Sequence, residues 1–326
     1  MYHRPKTTQP GGKVPMPRYD EVTQRAGSLR AMTGLTEPEF TALLPHFERA
    51  LAASLQDRTI DGQPRTSRRY SAYANTPLPT MADKRLFILT YLKQNPIQKV
   101  QGKLFGMSQS NANKWIHVLH PVLNQALADQ ELLPARTVAE FAALFKTHPT
   151  DGRSTPPFWH DGTERPIHRP ADPEEQQEYY SGKKKCHTLK NLLVINEICH
   201  VCFLSHTYEG KASDKSLAEL TGYTLPPGSS LDQDRGFQGF CLQDVTIVQP
   251  KKTPRGGELT PPERATNHRI ASIRIRIEHA IGGVKRDRIV KDKIRLLKDG
   301  IRDAVMETCC GLHNFRLQYR PWHYAL

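Results

Sequence analysis

The sequence predicts an α+β protein in which an all-helical N-terminal unit precedes a unit built on a mixed sheet. Three observations carry this. Apolar residues recur at helical spacing through residues 18–146, short apolar runs bounded by turn residues take over after residue 158, and between them Thr147–Pro157 holds three prolines and a glycine. A chain of 326 residues is long enough for two domains around separate cores, the arrangement expected here. The expected division is a disordered basic arm at 1–17, a helical domain at 18–146, a linker at 147–157 and a sheet domain at 158–326.

The first 17 residues are rich in Pro, Gly and Lys and have almost nothing to bury, which is the composition of a disordered segment. Thr36-Glu-Pro-Glu39 then forms a capping box ahead of Phe40, Leu43, Leu44, Phe47 and Leu51, predicting a helix over 37–56. Residues 57–79 read as a loop whose Arg65, Arg68, Arg69, Tyr70 and Tyr73 suit phosphate and base contacts. Thr80 caps a further helix that ends at Asn95-Pro96.

From Ile97 to Phe105 the pattern is a short amphipathic helix, followed by Gly106, a Met107-Ser108 cap and a second helix from Gln109 to about His120. This is helix-turn-helix spacing over 97–120, in which the start of the second helix enters the DNA major groove. Gln109, Ser110, Asn111, Asn113 and Lys114 would face DNA, since Asn or Gln pairs bidentately with adenine, while Trp115, Val118 and Leu119 pack behind. A plain helical hairpin would share the spacing but would not need so polar a helix start. Thr137 caps one more helix, ending near Lys146.

After the linker, 158–167 reads as a strand and 188–196 with 200–206 as a hairpin of two more. A helix over 213–220, short strands near Leu231 and over 245–249, and a long helix over about 266–284 follow. That order is the order of a ribonuclease-H-like fold, with a mixed sheet.

Lys plus Arg total 46 against 33 Asp plus Glu, a net charge of +13, which points to a polyanionic partner. Residues 1–150 hold 19 basic and 11 acidic side chains, and 264–302 hold 12 and 4, so two separate contacts are expected. Mean hydropathy is −0.59, and the longest apolar runs are far short of the roughly 20 residues a membrane span needs. The start of the chain has no apolar signal region, so a cytoplasmic protein is expected. Six cysteines are too sparse for a disulfide scaffold. Cys199-His-Val-Cys202 has zinc-ligand spacing but no second CxxC follows it, so the cysteines read as small buried hydrophobes.

Asp161 in the first strand, Asp234 after the short fourth strand and Glu278 in the long helix are the acids that matter in this order. Neighbouring strands one and four would set Asp161 and Asp234 about 5 Å apart, with the helix bringing in Glu278. Three converging carboxylates suit Mg²⁺, and two such ions about 4 Å apart activate a water or 3′-hydroxyl against a phosphodiester. Most acidic residues are mere surface charge, so the neighbouring motifs decide.

Those motifs are Trp159-His-Asp161-Gly-Thr-Glu-Arg-Pro-Ile-His-Arg-Pro170, Tyr180-Ser-Gly-Lys-Lys-Lys185, Asp234-Arg-Gly-Phe-Gln-Gly239 and Arg274-Ile-Arg-Ile-Glu278 through Lys285, with Cys309-Cys310-Gly-Leu-His-Asn-Phe315 near the end. Over about residues 80–318 the chain resembles the DDE transposases of bacterial insertion sequences, in the branch of family five and its Harbinger-like endonuclease relatives. The resemblance implies that Asp161, Asp234 and Glu278 are a catalytic, metal-binding triad for two Mg²⁺ ions, with Mn²⁺ able to substitute. It implies double-stranded DNA as partner, both element ends and target, a homodimer or larger assembly on DNA, and a place at the bacterial nucleoid. Arg274 and Lys285 share the helix face of Glu278 at 100° per residue and would hold the scissile DNA, as would Lys183, Lys184 and Lys185 in the turn between strands. Ala271 stands where related transposases have a tyrosine, so no role for that tyrosine carries over.

The activity expected is binding of terminal inverted repeats, followed by metal-dependent cleavage and strand transfer. Two alternatives share parts of the evidence: a non-catalytic DNA-binding regulator or domesticated transposase, and a nuclease without strand transfer.

Overall fold

A computed structural model describes residues 16–57, 59, 63, 64, 66, 76–147, 156–296 and 300–324. Residues 1–15 of the expected basic arm, most of the 57–79 loop including Arg65, Arg68, Arg69, Tyr70 and Tyr73, and most of the 147–157 linker lie outside the described residues.

The N-terminal unit is all helical, as expected, with α1 (Tyr19–Thr23), α2 (Ser28–Thr33), α3 (Glu37–Asp57), α4 (Met81–Gln94), α5 (Gln98–Leu104), α6 (Gln109–Ala128) and α7 (Val138–Thr147). Starts follow the capping signals. Thr36 N–H donates to Glu39 at 2.6 Å ahead of α3, and Thr80 and Asp83 close a reciprocal box on α4. Gly106, at φ +66°, makes the turn between α5 and α6 in a conformation that L-residues avoid. The sequence placed the end of α6 near His120, yet the helix continues through Pro121 for two more turns. Burial overrides propensity there: Val122, Leu123, Ala126 and Leu127 all lie in the core.

The sheet unit contains β1 (Pro157–Pro166), α8 (Pro173–Tyr179), β2 (Tyr180–Ser181), β3 (Cys186–Ile195), β4 (Val201–Leu204), β5 (Tyr208–Glu209), α9 (Asp214–Thr221), β6 (Ser230–Asp232), β7 (Thr246–Val248), α10 (Pro261–Val284), α11 (Arg288–Lys291) and α12 (Ile301–Tyr319). The strands run β2-β3-β1-β6-β7, with β4 and β5 also on β3. β1 is antiparallel to β3 and parallel to β6, which is parallel to β7, so the sheet is mixed as expected. α10 begins five residues before the expected start because Thr260 and Glu263 form a capping box that admits Pro261 and Pro262 in the first turn.

β6 is short and polar for a central strand, and the structure shows why it is tolerated. Gln233, just past its end, is buried but bonds to the His160 Nε2 (3.2 Å) and to the carbonyls of Phe237 and Phe240.

Separate cores were expected, and the two units instead share one. A single apolar cluster joins Phe40, Phe87 and Leu123 of the N-terminal helices to Trp159 and Leu193 of the sheet, through Ile277 of α10 and Cys309 of α12. Polar contacts reinforce the junction: His120 bonds Thr308 at 3.0 Å, Asn124 bonds Glu307 and Thr308, and Arg320 holds buried Glu39 at 2.6 and 3.1 Å. A second cluster around Phe158, Leu192, Phe203, Leu217 and Phe237 lies under the other face of the sheet, beneath α7 and α9.

Candidate functional site

The site is built where β1 and β6 lie side by side. Trp159 is in register with Asp232, so two residues further on Asp161 stands level with Asp234, both on the sheet face that α10 covers. Asp161 takes the N–H of Gly162 at 2.8 Å. Asp234 caps a short 3₁₀ turn, Arg235–Phe237, and takes the N–H of Gly236 at 2.6 Å. These local bonds hold two carboxylates together. Burial first, and the Asp234 charge second, push the Asp161 carboxyl up to about 6, against the pull of Arg274.

Asp232 lies one pleat behind, buried, with one carboxylate oxygen that has no hydrogen-bond partner. Burial pushes it up to about 6 as well, opposed by Arg274 and Arg276. Arg274 is near enough to both Asp161 and Asp232 to draw each carboxyl down, and its buried Nε is unpartnered. Among the described residues it makes no ion pair with Glu278.

From the other face of the sheet comes Asp214, in the first turn of α9. A Cβ built on Gly162 would lie 2.6 Å from its Oδ1, and one on Gly236 would lie 2.8 Å from its Oδ2 and equally close to Asp234. Lys190 of β3 holds it at 3.3 Å and also faces Glu164 at 3.8 Å. Three carboxylates, Asp161, Asp214 and Asp234, thus surround two glycines. The sequence reading passed over Asp214; the signal available was a glycine beside each aspartate of the pair, at 162 and 236.

Glu278 is exposed on α10, on the side of a groove lined by His279, Trp322 and Tyr324. The expected convergence of three acids is not formed in this structure. Among the described residues no group of three His, Cys, Asp or Glu is placed to hold a metal ion, and Arg274, one turn earlier on α10 than Glu278, is near enough to Asp161 to pull its carboxyl down. The pair itself fits a hard divalent cation: two adjacent carboxylates, oxygen donors of like charge, with Asp161 driven toward its protonated form in the absence of a cation between them. Four of the six cysteines behave as expected of small hydrophobes, since Cys199, Cys202, Cys309 and Cys310 are buried in the apolar clusters, whereas Cys186 is half-buried and Cys241 is exposed.

The basic residues divide. Lys183, Lys184 and Lys185 are exposed in the turn after β2. Lys285 is partly buried, donates from Nζ to the Glu164 carbonyl at 2.8 Å, and is pushed down to about 8 by burial and then by Lys184 and Arg165. In the helix-turn-helix region, Gln109, Ser110, Asn111 and Lys114 are exposed and Asn113 is half-buried, while Ala112, Trp115, Ile116 and Leu119 face inward. Ser108 caps the helix by accepting from Asn111 N–H at 3.2 Å.

Comparison with known proteins adds three findings. Residues 160–314 match the family described as DDE superfamily endonuclease, and residues 76–129 match the helix-turn-helix of DDE superfamily endonuclease. A protein named "Probable transposase for insertion sequence element IS702", from Microchaete diplosiphon, is 29% identical over 160 residues, which cover 48% of this chain and 56% of that relative. No solved structure matches.

Proposed function

We propose, for a chain that is a DDE superfamily endonuclease carrying the helix-turn-helix of that superfamily, the full activity of an insertion-sequence transposase: recognition of its element's terminal inverted repeats, phosphodiester cleavage there, and transfer of the freed 3′-hydroxyl to target DNA. The observation that carries this reading is the carboxylate pair of Asp161, on β1, and Asp234, just past the end of the adjacent parallel strand β6, inside the matched domain.

Asp161 and Asp234 are the residues that would hold divalent metal, Mg²⁺ by the hardness of their oxygens. Bound there, the ions supply Lewis-acid activation of the attacking oxygen and neutralise the leaving one. The chain's own residues do the positioning. Lys183, Lys184 and Lys185 hold backbone phosphates, and the start of α6 reads bases. Arg274, whose charge acts on Asp161 and Asp232 in this structure, moves to a DNA phosphate, and Glu278, one turn along the same helix, then comes over the pair. Two ends are processed together, so the active species is a dimer or larger assembly on DNA.

The test is cleavage of labelled end DNA in Mg²⁺ or Mn²⁺ by the full chain. Asp161→Asn and Asp234→Asn are each expected to abolish cleavage, and Glu278→Gln to do the same, while gel-shift affinity for the ends survives. Near-normal cleavage by any of them removes that residue from the site.

A further inference from the structure

A groove runs between α10 and the C-terminal segment that follows α12. At one end it opens beside Glu278, with His279, Trp322 and Tyr324 on its walls, in a cavity of about 670 Å³. At the other it continues past Gly283 and Arg286 to a cluster of arginines from three parts of the chain, Arg30, Arg286, Arg316 and Arg320. Its middle is open at Gly282, where a Cβ would meet nothing within 4 Å.

The arginines are not equivalent. Arg316 is paired with buried Asp287 at 3.2 Å, and Arg320 with Glu39 at 2.6 Å. Arg30 and Arg286 make no ion pair among the described residues; Asp287, already paired with Arg316, offsets the Arg286 charge only in part, which leaves room for an anion from outside. Lys93 adds to the charge, donating to the Arg286 carbonyl at 2.7 Å. The Arg286 guanidinium is held below its ordinary range, first by burial and then by its neighbours Arg316 and Arg320, which an arriving phosphate would relieve.

The rings are ordered for contact. The Tyr324 hydroxyl bonds His279 Nδ1 at 2.9 Å, its ring lies 4.8 Å from the Arg276 guanidinium, and Trp322 meets His279 edge-on at 5.7 Å. Aromatic rings beside arginines that lack an ion pair, in one groove, are what an unstacked base and its phosphate require. Duplex DNA presents neither a free base face nor a backbone narrow enough to enter.

We propose that this groove binds a nucleotide of single-stranded DNA, its base against Trp322 and Tyr324 over Gly282 and its phosphate on Arg286 and Arg30. The proposal rests on the endonuclease reading above, since it places the unpaired strand beside Glu278, where a cut end would be released from the duplex.

Trp322 makes the groove observable. Trp115 and Trp159 are buried, whereas Trp322 is half-buried at the groove wall. A short oligothymidine added to the full chain without metal is expected to quench tryptophan emission, and Trp322→Phe to remove the quench. Gly282→Leu fills the groove at a helical position that prefers a side chain, so the fold should persist, as its circular dichroism will show. It is expected to weaken oligothymidine binding by about ten- to a hundredfold, the worth of one stacked base, and to leave duplex binding unchanged. Undiminished anisotropy of a labelled oligothymidine with Gly282→Leu would overturn the proposal. So would inorganic phosphate that quenches as well as the oligonucleotide, which would make this an anion site alone. Failure of the wild-type chain to cleave end DNA would count against the endonuclease reading and leave these binding results standing.

Discussion

Gly162→Ala is expected to destabilise the protein, although Ala for Gly at a compatible strand position ordinarily stabilises by about 0.4–1 kcal/mol. The sign follows from Asp214. The new Cβ would lie 2.6 Å from its Oδ1, closer than atoms pack, and the next neighbour, Lys190 Cδ at 3.7 Å, is in ordinary contact. Asp214 must therefore move, and its ion pair with Lys190, 3.3 Å long with side chains 18% and 8% exposed, must stretch or break. Breaking a buried pair costs about 3–5 kcal/mol. The loss here is smaller, because Lys190 keeps the Ala212 carbonyl at 2.7 Å and Glu164 at 3.8 Å. A net loss of about 1–3 kcal/mol is expected, or roughly 1.5–4.5 °C in Tm for a chain of this size. Urea unfolding of Gly162→Ala, Asp214→Ala and the double variant forms a cycle. The double variant should lose less than the sum of the singles, because removing the Asp214 carboxylate removes the clash. Additive losses, or a Gly162→Ala protein as stable as the wild type, would show that Asp214 does not depend on the missing side chain.

Asp232→Asn tests the acid behind the pair. Its carboxyl titrates at about 6 in the native protein against 3.8 unfolded, so the native state binds the extra proton and stability falls as pH rises from about 4 to 6. The asparagine variant should gain up to about 3 kcal/mol over the wild type at pH 8 and nothing below pH 4; a difference independent of pH refutes this. It should also retain cleavage, whereas Asp234→Asn loses it in the same time course. Gln109→Ala and Asn111→Ala in the full chain should lower affinity for element ends by about 1–3 kcal/mol with little change on random duplex, and equal losses on both DNAs would mean that these residues do not read bases.

Much of this was visible in the residues. Thr36, Thr80, Ser108 and Thr137 announced helix starts because capping is local chemistry. The order of the strands brought Asp161 level with Asp234 because parallel neighbours share a register. What stayed hidden depended on contacts distant in sequence. Asp214 enters the site from the opposite face of the sheet, through gaps that only glycines at 162 and 236 leave, and no pattern along α9 reveals it. Glu278 was expected to share a helix face with Arg274 and Lys285, yet Glu278 is exposed at the groove, Arg274 acts on Asp161, and Lys285, just past the end of α10, bonds the Glu164 carbonyl, which spacing along one helix does not tell. Separate cores were expected because composition shifts at the linker. The apolar faces of α6 and α12 are each legible, but that they bury one another is a fact of tertiary structure.

That shared core makes the protein a ruler. α6 begins at exposed Gln109, and its far half is fastened to α12 by Asn124 with Glu307 and Thr308, while α12 in turn backs the sheet that carries Asp161. A recognition helix on a flexible tether could serve cuts at many distances. Here the 20 residues of α6 span about 30 Å, close to nine base pairs of rise, as one helix that runs through Pro121 from its exposed start to its fastened half. On the roles proposed above for Gln109 and Asp161, the separation between the bases read and the bond cut is a constant of the fold, and a change in it requires repacking the core.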